Sequence, residues 1–176
     1  MTAYKVFETE RLQLKPTSVA DAEFIVALMN SPKWLAYIGD RNVRTVDSAK
    51  AYIASKMLPQ LQRLGYSSYT ILRKSDDAKI GTCGLFDRAG LKGIDIGFAF
   101  LPAYEKKGYA FEASHKLIDM AFNTFGIPEL SAITAKDNSA SQTLLGKLGL
   151  KPSGTLKLPN KDEEVLVFKL KNNKKV

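Results

Sequence analysis

The residues best suited to chemistry stand in Lys106-Lys107-Gly108-Tyr109-Ala110, where two lysines and a glycine precede an apolar-periodic stretch. The start of a helix presents unpaired N–H groups and a partial positive charge, which together favour phosphate. Gly108 lets the backbone bend there and removes a side chain that would block an anion. Lys106 and Lys107 add positive charge. The same five residues also suit an ordinary turn with solvated lysines. Taken alone, they leave both readings open.

Just before this turn, Ile94, Ile96, Phe98 and Phe100 alternate with Asp95, Gly97 and Ala99. In a strand, alternate residues share a face. One face is therefore bulky and core-like. The other is nearly bare, which predicts that an extended ligand can approach its backbone closely. Further on, Asn138 stands where a helix N-cap is expected, and Ser141 lies in that helix's first turn. Cys83 is the one cysteine and His115 the one histidine. No intramolecular disulfide or thiol-based metal cluster is available, and Cys83 is expected to be structural. His115 falls inside a helical pattern and is expected to be structural too.

The elements that must position these residues follow from periodicity. Val6 to Lys15 reads as one strand stopped by Pro16. Ser18 and Asp21 resemble an N-cap with an acidic first turn, and Phe24, Ile25, Leu28 and Met29 supply an amphipathic stripe. A second helical stretch begins near Thr45 and ends before Gly65, with a kink or break expected at Pro59. Tyr66–Arg73, Lys79–Phe86 and Gly93–Leu101 read as strands joined by polar turns, as in antiparallel hairpins. After Pro102, Phe111, Ile118, Phe122 and Phe125 mark a long helix. Leu130–Ala135 is a short strand, Asn138 to Leu148 a compact helix with Gly149 as its C-cap, and Lys151–Leu158 and Glu163–Leu170 close the chain. The order β-α-α-β-β-β-α-β-α-β-β implies α+β architecture, one sheet packed on helices.

Composition bounds the reading. The 176 residues are 45% hydrophobic and 25% charged, which suits one globular domain over residues 1–176. No run approaches the roughly 18 apolar residues of a membrane span. The start, Met1 to Glu10, lacks the apolar core of a signal peptide, so a cytoplasmic address is expected. The net charge of +8 would attract anions in general. It is not gathered into one arm, and no aromatic–basic RNA signature accompanies it, so nucleic acid is not an expected partner. The lysine-rich tail, Lys169 to Lys175, reads as ending in a frayed, solvated terminus.

Three separated segments resemble the GNAT superfamily of acetyl-CoA-dependent N-acetyltransferases, and within it the branch containing the ribosomal-protein N-terminal acetyltransferases. Glu8-Thr-Glu-Arg-Leu-Gln-Leu-Lys15 is similar to that branch's opening strand. Asp95-Ile-Gly-Phe98, followed by Lys107-Gly-Tyr-Ala-Phe-Glu-Ala113, is similar to the cofactor motif, in which Gln or Arg precedes x-x-Gly-x-Gly/Ala. Asn138-Ser-Ala-Ser141 and the residues to Leu150 resemble the Asn-x-x-Ser helix that closes the site. The three occur in the family's order across most of the chain. One departure stands out: Glu105 occupies the Gln/Arg position, so the turn's amides and Gly108 are expected to hold the pyrophosphate.

The resemblance implies a single mixed, mostly antiparallel twisted sheet with a splayed central strand and about four helices. It implies acetyl-CoA as cosubstrate, no metal, and direct transfer to an amine. The cofactor would meet Phe98, Ala99, Phe100, Lys106, Lys107, Gly108, Tyr109, Ala110, Asn138 and Ser141, with Asn138 bonding the pantetheine amides. A backbone N–H near Phe98 or Ala99 would polarise the thioester carbonyl. Asp95 is the candidate base, directly or through water, its alternative being a charge paired with a nearby cation. Ser141 is the candidate for protonating the thiolate, its alternative being a helix-cap residue. Trp34, Tyr37 and Tyr52 lie where the family walls its acceptor site, and are expected mainly to pack. The acceptor implied would be a protein N-terminal α-amine, such as a ribosomal protein's, or a small amine; a non-catalytic acyl-CoA-binding module is the reading from another class. A homodimer is left open.

Overall fold

The computed structural model describes residues 4–159 and 161–173. Met1 to Ala3, at the start of the segment read for a signal peptide, and Lys174 and Lys175 of the expected frayed end lie outside the described residues.

Where one opening strand was expected, two short ones form. β1 (Phe7–Glu8) and β2 (Leu12–Pro16) pair antiparallel. The chain turns between them because Thr9 closes the turn from both sides: its N–H donates to the Leu12 carbonyl at 2.9 Å and its hydroxyl accepts from the Leu12 N–H at 3.0 Å. Pro16 is the last residue of β2, where its missing N–H removes nothing from the ladder.

Ser18 caps a 3-10 turn (Val19–Asp21) through a capping box with Asp21, and α1 (Ala22–Met29) follows. A π-helical turn at Trp34–Ile38, which carries no periodic signal in the sequence, leads to a loop. Thr45 caps α2 (Val46–Tyr52). The expected break at Pro59 is a π-helical turn at Ile53–Met57, after which Pro59 sits in the first turn of α3 (Leu58–Leu64). Left-handed Gly65 ends that run. The α2–α3 run is one interrupted body, so with α1, α4 (Tyr109–Asn123) and α5 (Ser139–Lys147) the helical bodies number four.

The strands β3 (Ser68–Arg73), β4 (Ala78–Phe86), β5 (Ile94–Phe100), β6 (Glu129–Ala135), β7 (Lys151–Lys157) and β8 (Glu164–Lys171) complete one eight-stranded sheet in the order β1-β2-β3-β4-β5-β6-β8-β7. Among the described residues, only β5 and β6 pair in parallel; the other pairings are antiparallel.

The sheet's two faces differ. Tyr69, Cys83 and Phe98, in register with one another, and Leu85, Ile96 and Phe100 on the same face lie toward α4, whose Ala113, Leu117 and Ala121 are fully buried against them. Burial of the Leu, Ile and Phe side chains contributes about 1.5–3 kcal/mol each. On the opposite face, Thr17, Ser68 and Thr70 share hydrogen bonds of 3.0–3.1 Å, and Thr70 donates to Asp21 just ahead of α1. Helices α1 and α2 enclose a separate small core of Ala22, Ile25, Met29, Val43, Ala49 and Ile53.

Candidate active site

β5 and β6 pair only at Ile94↔Leu130 and Asp95↔Ser131. Beyond those two positions they diverge. β5 stays with β4 up to Phe100, and β6 with β8 up to Ala135. The diverging ends leave a slot, and its walls can be read from hydrogen-bond alternation. The Leu101 N–H donates across the β4 side to Ile80, so the amides of Ala99 and Gly97 also turn toward β4. Those of Ile96, Phe98 and Phe100 turn into the slot. On β6, the Asn172 N–H donates to Pro128 on the β8 side, which turns the Ile133 amide and carbonyl toward β5. Of the two carbonyl-polarising amides expected, Phe98 fits the geometry; the Ala99 amide belongs to the β4–β5 ladder.

Backbone groups along a slot need partners. An extended chain with amides of its own, such as pantetheine, would supply them. The Thr134 hydroxyl, buried on β6 beyond the last β5 pairing, has no hydrogen-bond partner among the described residues, like the Tyr69 hydroxyl in the core.

Each strand of the slot runs into a helix N-terminus, so the slot opens at the carboxyl ends of parallel strands, where ligands of open α/β sheets sit. After β5 comes a 3-10 turn (Pro102–Tyr104), then left-handed Lys106 (φ 59°) and left-handed Gly108 (φ 82°), the N-cap of α4. No side chain caps this helix, leaving its first amides free for an anion. Tyr109 is buried and Ala110 packs partly against the main core, so these two offer backbone only. After β6, Asn138 caps α5 by accepting the Ser141 N–H at 3.2 Å. The Ser141 side chain is half-buried. Its hydroxyl has no hydrogen bond among the described residues, so it is not occupied as a helix cap.

The sequence gives no periodic signal for Arg11, yet Arg11 braces the anion turn. Its guanidinium donates to the Lys107 carbonyl at 3.0 Å, lies 4.4 Å from the Tyr109 ring centroid, and pairs with Glu112 at 2.7 Å. A guanidinium thus reaches the turn from β2's approach rather than from position 105. Glu105 itself is bound by Lys33 at 2.8 Å, which offsets its charge.

Asp95 lies where the slot closes. It is 1% exposed and held by Arg88 at 3.2 Å. Burial raises its pKa above the ordinary carboxylate value, partly countered by the Arg88 charge. The expected bare face is not bare: the Phe86 ring folds across Gly84 and Gly97, so that a Cβ on Gly97 would stand 3.1 Å from the ring. A ligand meets the slot-facing edge of β5 and not that face.

The remaining expectations divide. Cys83 is buried against Ser114 at 3.5 Å, its thiol pushed up to about 12 by burial. Trp34 and Tyr52 pack half-buried against the α1–α2 core, and Tyr37 is half-buried in the π-helical turn. His115 is exposed and stacked on exposed Phe111 at 5.6 Å, in a groove of about 1010 Å³ that begins at Gly108 and Arg11. Among the described residues, no group of three or more His, Cys, Asp or Glu could hold a metal, and no helix is long and apolar enough to cross a membrane.

A parallel strand pair prised apart between two helix N-termini is the frame of a CoA-dependent acyltransferase. Residues 11–151 match the acetyltransferase (GNAT) domain family, and the chain belongs to that family of acetyl-CoA-dependent N-acetyltransferases. The N-acetyltransferase YoaA of Bacillus subtilis (strain 168) is 28% identical over 155 residues, spanning 88% of this chain and 87% of YoaA. The crystal structure of an acetyltransferase from Agrobacterium tumefaciens str. C58 superposes with a TM-score of 0.81 at 23% identity, covering 98% of this chain and 97% of that one. A ribosomal-protein-S5-alanine acetyltransferase from Vibrio fischeri gives a TM-score of 0.78 at 20% identity, covering 96% and 97%. These two share the fold.

Proposed function

We propose that the acceptor is a protein N-terminal α-amine, acetylated by a single domain spanning residues 1–176. The observation carrying this is the β5–β6 slot, with an uncapped anion turn at one rim and the free Ser141 hydroxyl at the other. The chemistry asked of the chain is modest. A peptide α-amine has a pKa near 8, against about 10.4 for a lysine side chain, so at neutral pH much of it is already nucleophilic. A buried base reached through water is then sufficient. The fold neighbour that acts on a ribosomal-protein alanine supports this acceptor over a small amine.

Acetyl-CoA supplies the activated acetyl group. The amides of Gly108 to Ala110, braced by Arg11, hold its pyrophosphate, with Lys106 and Lys107 adding charge. The slot edges of Phe98, Phe100 and Ile133, together with Asn138, bond the pantetheine, and the Phe111–His115 pair offers a platform for the adenine. The Phe98 N–H polarises the carbonyl. The amine nitrogen forms the C–N bond as the C–S bond breaks, the amine's proton leaves through water toward Asp95, and Ser141 passes a proton to the departing sulfur while taking one from solvent, to which Asp95 later releases its own. Asp95 can accept the amine's proton only if Arg88 yields, and its raised pKa favours that acceptance.

Two measurements test this. Acetyl-CoA at a hundred times its dissociation constant should stabilise the fold by about 2.7 kcal/mol, while acetate should not. Thiol release should then be followed with N-terminal peptides, their N-blocked forms and small amines. Turnover confined to small amines would move the acceptor assignment. No shift with acetyl-CoA at millimolar concentration would remove the slot as its site.

A further inference from the structure

Beside the closed end of the slot, three loops bring together the cations Arg41, Arg88 and Lys161, of which, among the described residues, Arg88 alone is paired with a carboxylate, Asp95. Lys161, from the β7–β8 connection, donates to the Ile38 carbonyl at 2.9 Å. A Cβ on Gly39 would stand 3.6 Å from both the Lys161 Nζ and the Arg41 Nη1, so those two charges lie within twice that distance of each other. Arg88, from the β4–β5 connection, lies 5.6 Å from the Phe86 ring centroid and binds Asp95. Burial, Arg41 and Arg88 together hold the Lys161 ammonium below the usual lysine range.

The surrounding acids do not balance these charges. Asp95 is taken by Arg88, Asp40 by Arg44 and Asp87 by Arg63. Asp162 and Glu163, which follow Lys161 in the chain, make no ion pair with the cluster among the described residues, and Arg41 has none either. Like charges at this spacing repel. An arriving anion would relieve that repulsion.

We infer that Arg41, Arg88 and Lys161 receive an acidic side chain of the acceptor, so that the enzyme selects N-terminal peptides carrying Asp or Glu a few residues from the α-amine. This rests on the peptide acceptor proposed above and names its class. Arg88 is anchored at Asp95, and the Phe98 amide stands three residues further along β5, roughly 10 Å at the rise of a strand. An extended peptide covers that span in about three residues. The acidic residue is therefore expected third or fourth in the acceptor.

The test compares peptides that begin identically and carry Glu, Gln or Lys at position four, following thiol release from acetyl-CoA at low and moderate salt. The wild-type kcat/KM should favour Glu over Gln by about tenfold at low salt, and salt should shrink the ratio. Arg41→Ala should reduce the Glu-to-Gln ratio severalfold, mainly through KM, and Arg41→Glu should favour the Lys peptide. Lys161→Ala gives a second reading of the same ratio should an Arg41 variant fold poorly. A wild-type ratio near one overturns this inference and leaves acetyl transfer standing. A ratio that survives all three substitutions overturns it as well. No turnover with any amine overturns both readings.

Discussion

The two faces of the sheet set side by side stability and chemistry. Under α4 the sheet is apolar without interruption, from Leu14 through Tyr69 and Cys83 to Ile96. Under α1 it is threaded by hydroxyls and carboxylates, Thr17, Ser68, Thr70, Asp21 and Asp95, all buried. Buried polar groups are tolerated when each finds partners. Here Asp21 accepts from Thr70 and from the Ser18 N–H, and pairs with Lys79 at 2.8 Å. An apolar face could hold the helices with less demand for exact geometry. The polar face lies beside the cation cluster and leads to the slot, so it gives α1 a fixed position relative to the chemistry.

Substitutions can break this division or sharpen it. The largest loss is expected from Leu117→Ala on the apolar face: about 2–5 kcal/mol in urea unfolding, with acetyl-CoA affinity near wild type in the folded fraction. Gly108→Val, at the slot, should cost about 1–3 kcal/mol because a β-branched residue is forced left-handed. It should also lower acetyl-CoA affinity tenfold or more by calorimetry, so that binding suffers beyond stability. On the polar face, Thr70→Val removes one hydrogen-bond partner each from Asp21 and Thr17, which keep the Ser18 N–H, Lys79 and Ser68, and should cost about 0.5–1.5 kcal/mol. If Thr70→Val proves neutral, the polar network does not fix α1.

Asp95 supplies a pH-dependent contrast. Its folded pKa lies above its unfolded value near 3.9, so the native state binds the extra proton. Its contribution is therefore most favourable below about pH 4 and is lost as pH rises through the folded pKa. Asp95→Asn should flatten that fall when unfolding free energy is measured across the acid range; an unchanged slope would show that Arg88 fully offsets the burial. The smallest effect belongs to Lys33→Ala, which breaks the partly exposed pair with Glu105. It should cost under about 1 kcal/mol, and a modest weakening of acetyl-CoA binding would show that Lys33 shields the turn from Glu105.

Much of this was legible in the sequence. The α4 and α5 N-termini, the Gly108 turn and the sheet's element order follow from periodicity and caps, which are local properties. Three features were not. Arg11 reaches the turn from almost a hundred positions away, and nothing in a strand's alternation announces such a partner. The Phe86 ring covers Gly97 because Gly84 and Gly97 are register neighbours, a fact of pairing and not of either segment. The π-helical turn at Trp34–Ile38 arises in a short segment with no cap or stripe to mark it. Asp95 read as a base or an ion-pair partner from its face alone; the structure shows the ion pair, and a base role must compete with it.

The narrow β5–β6 join has one more consequence. Two residue pairs are all that join β5 to β6 along the sheet, so the two halves are held together there mainly by the core beneath α4. A pantetheine chain lying in the slot would act as an added strand, stitching the two halves with the hydrogen bonds they withhold from each other. Amide exchange at Ile96, Phe98 and Ile133 should then slow sharply on cosubstrate binding. The reactant, for the lifetime of the complex, becomes part of the enzyme's own framework.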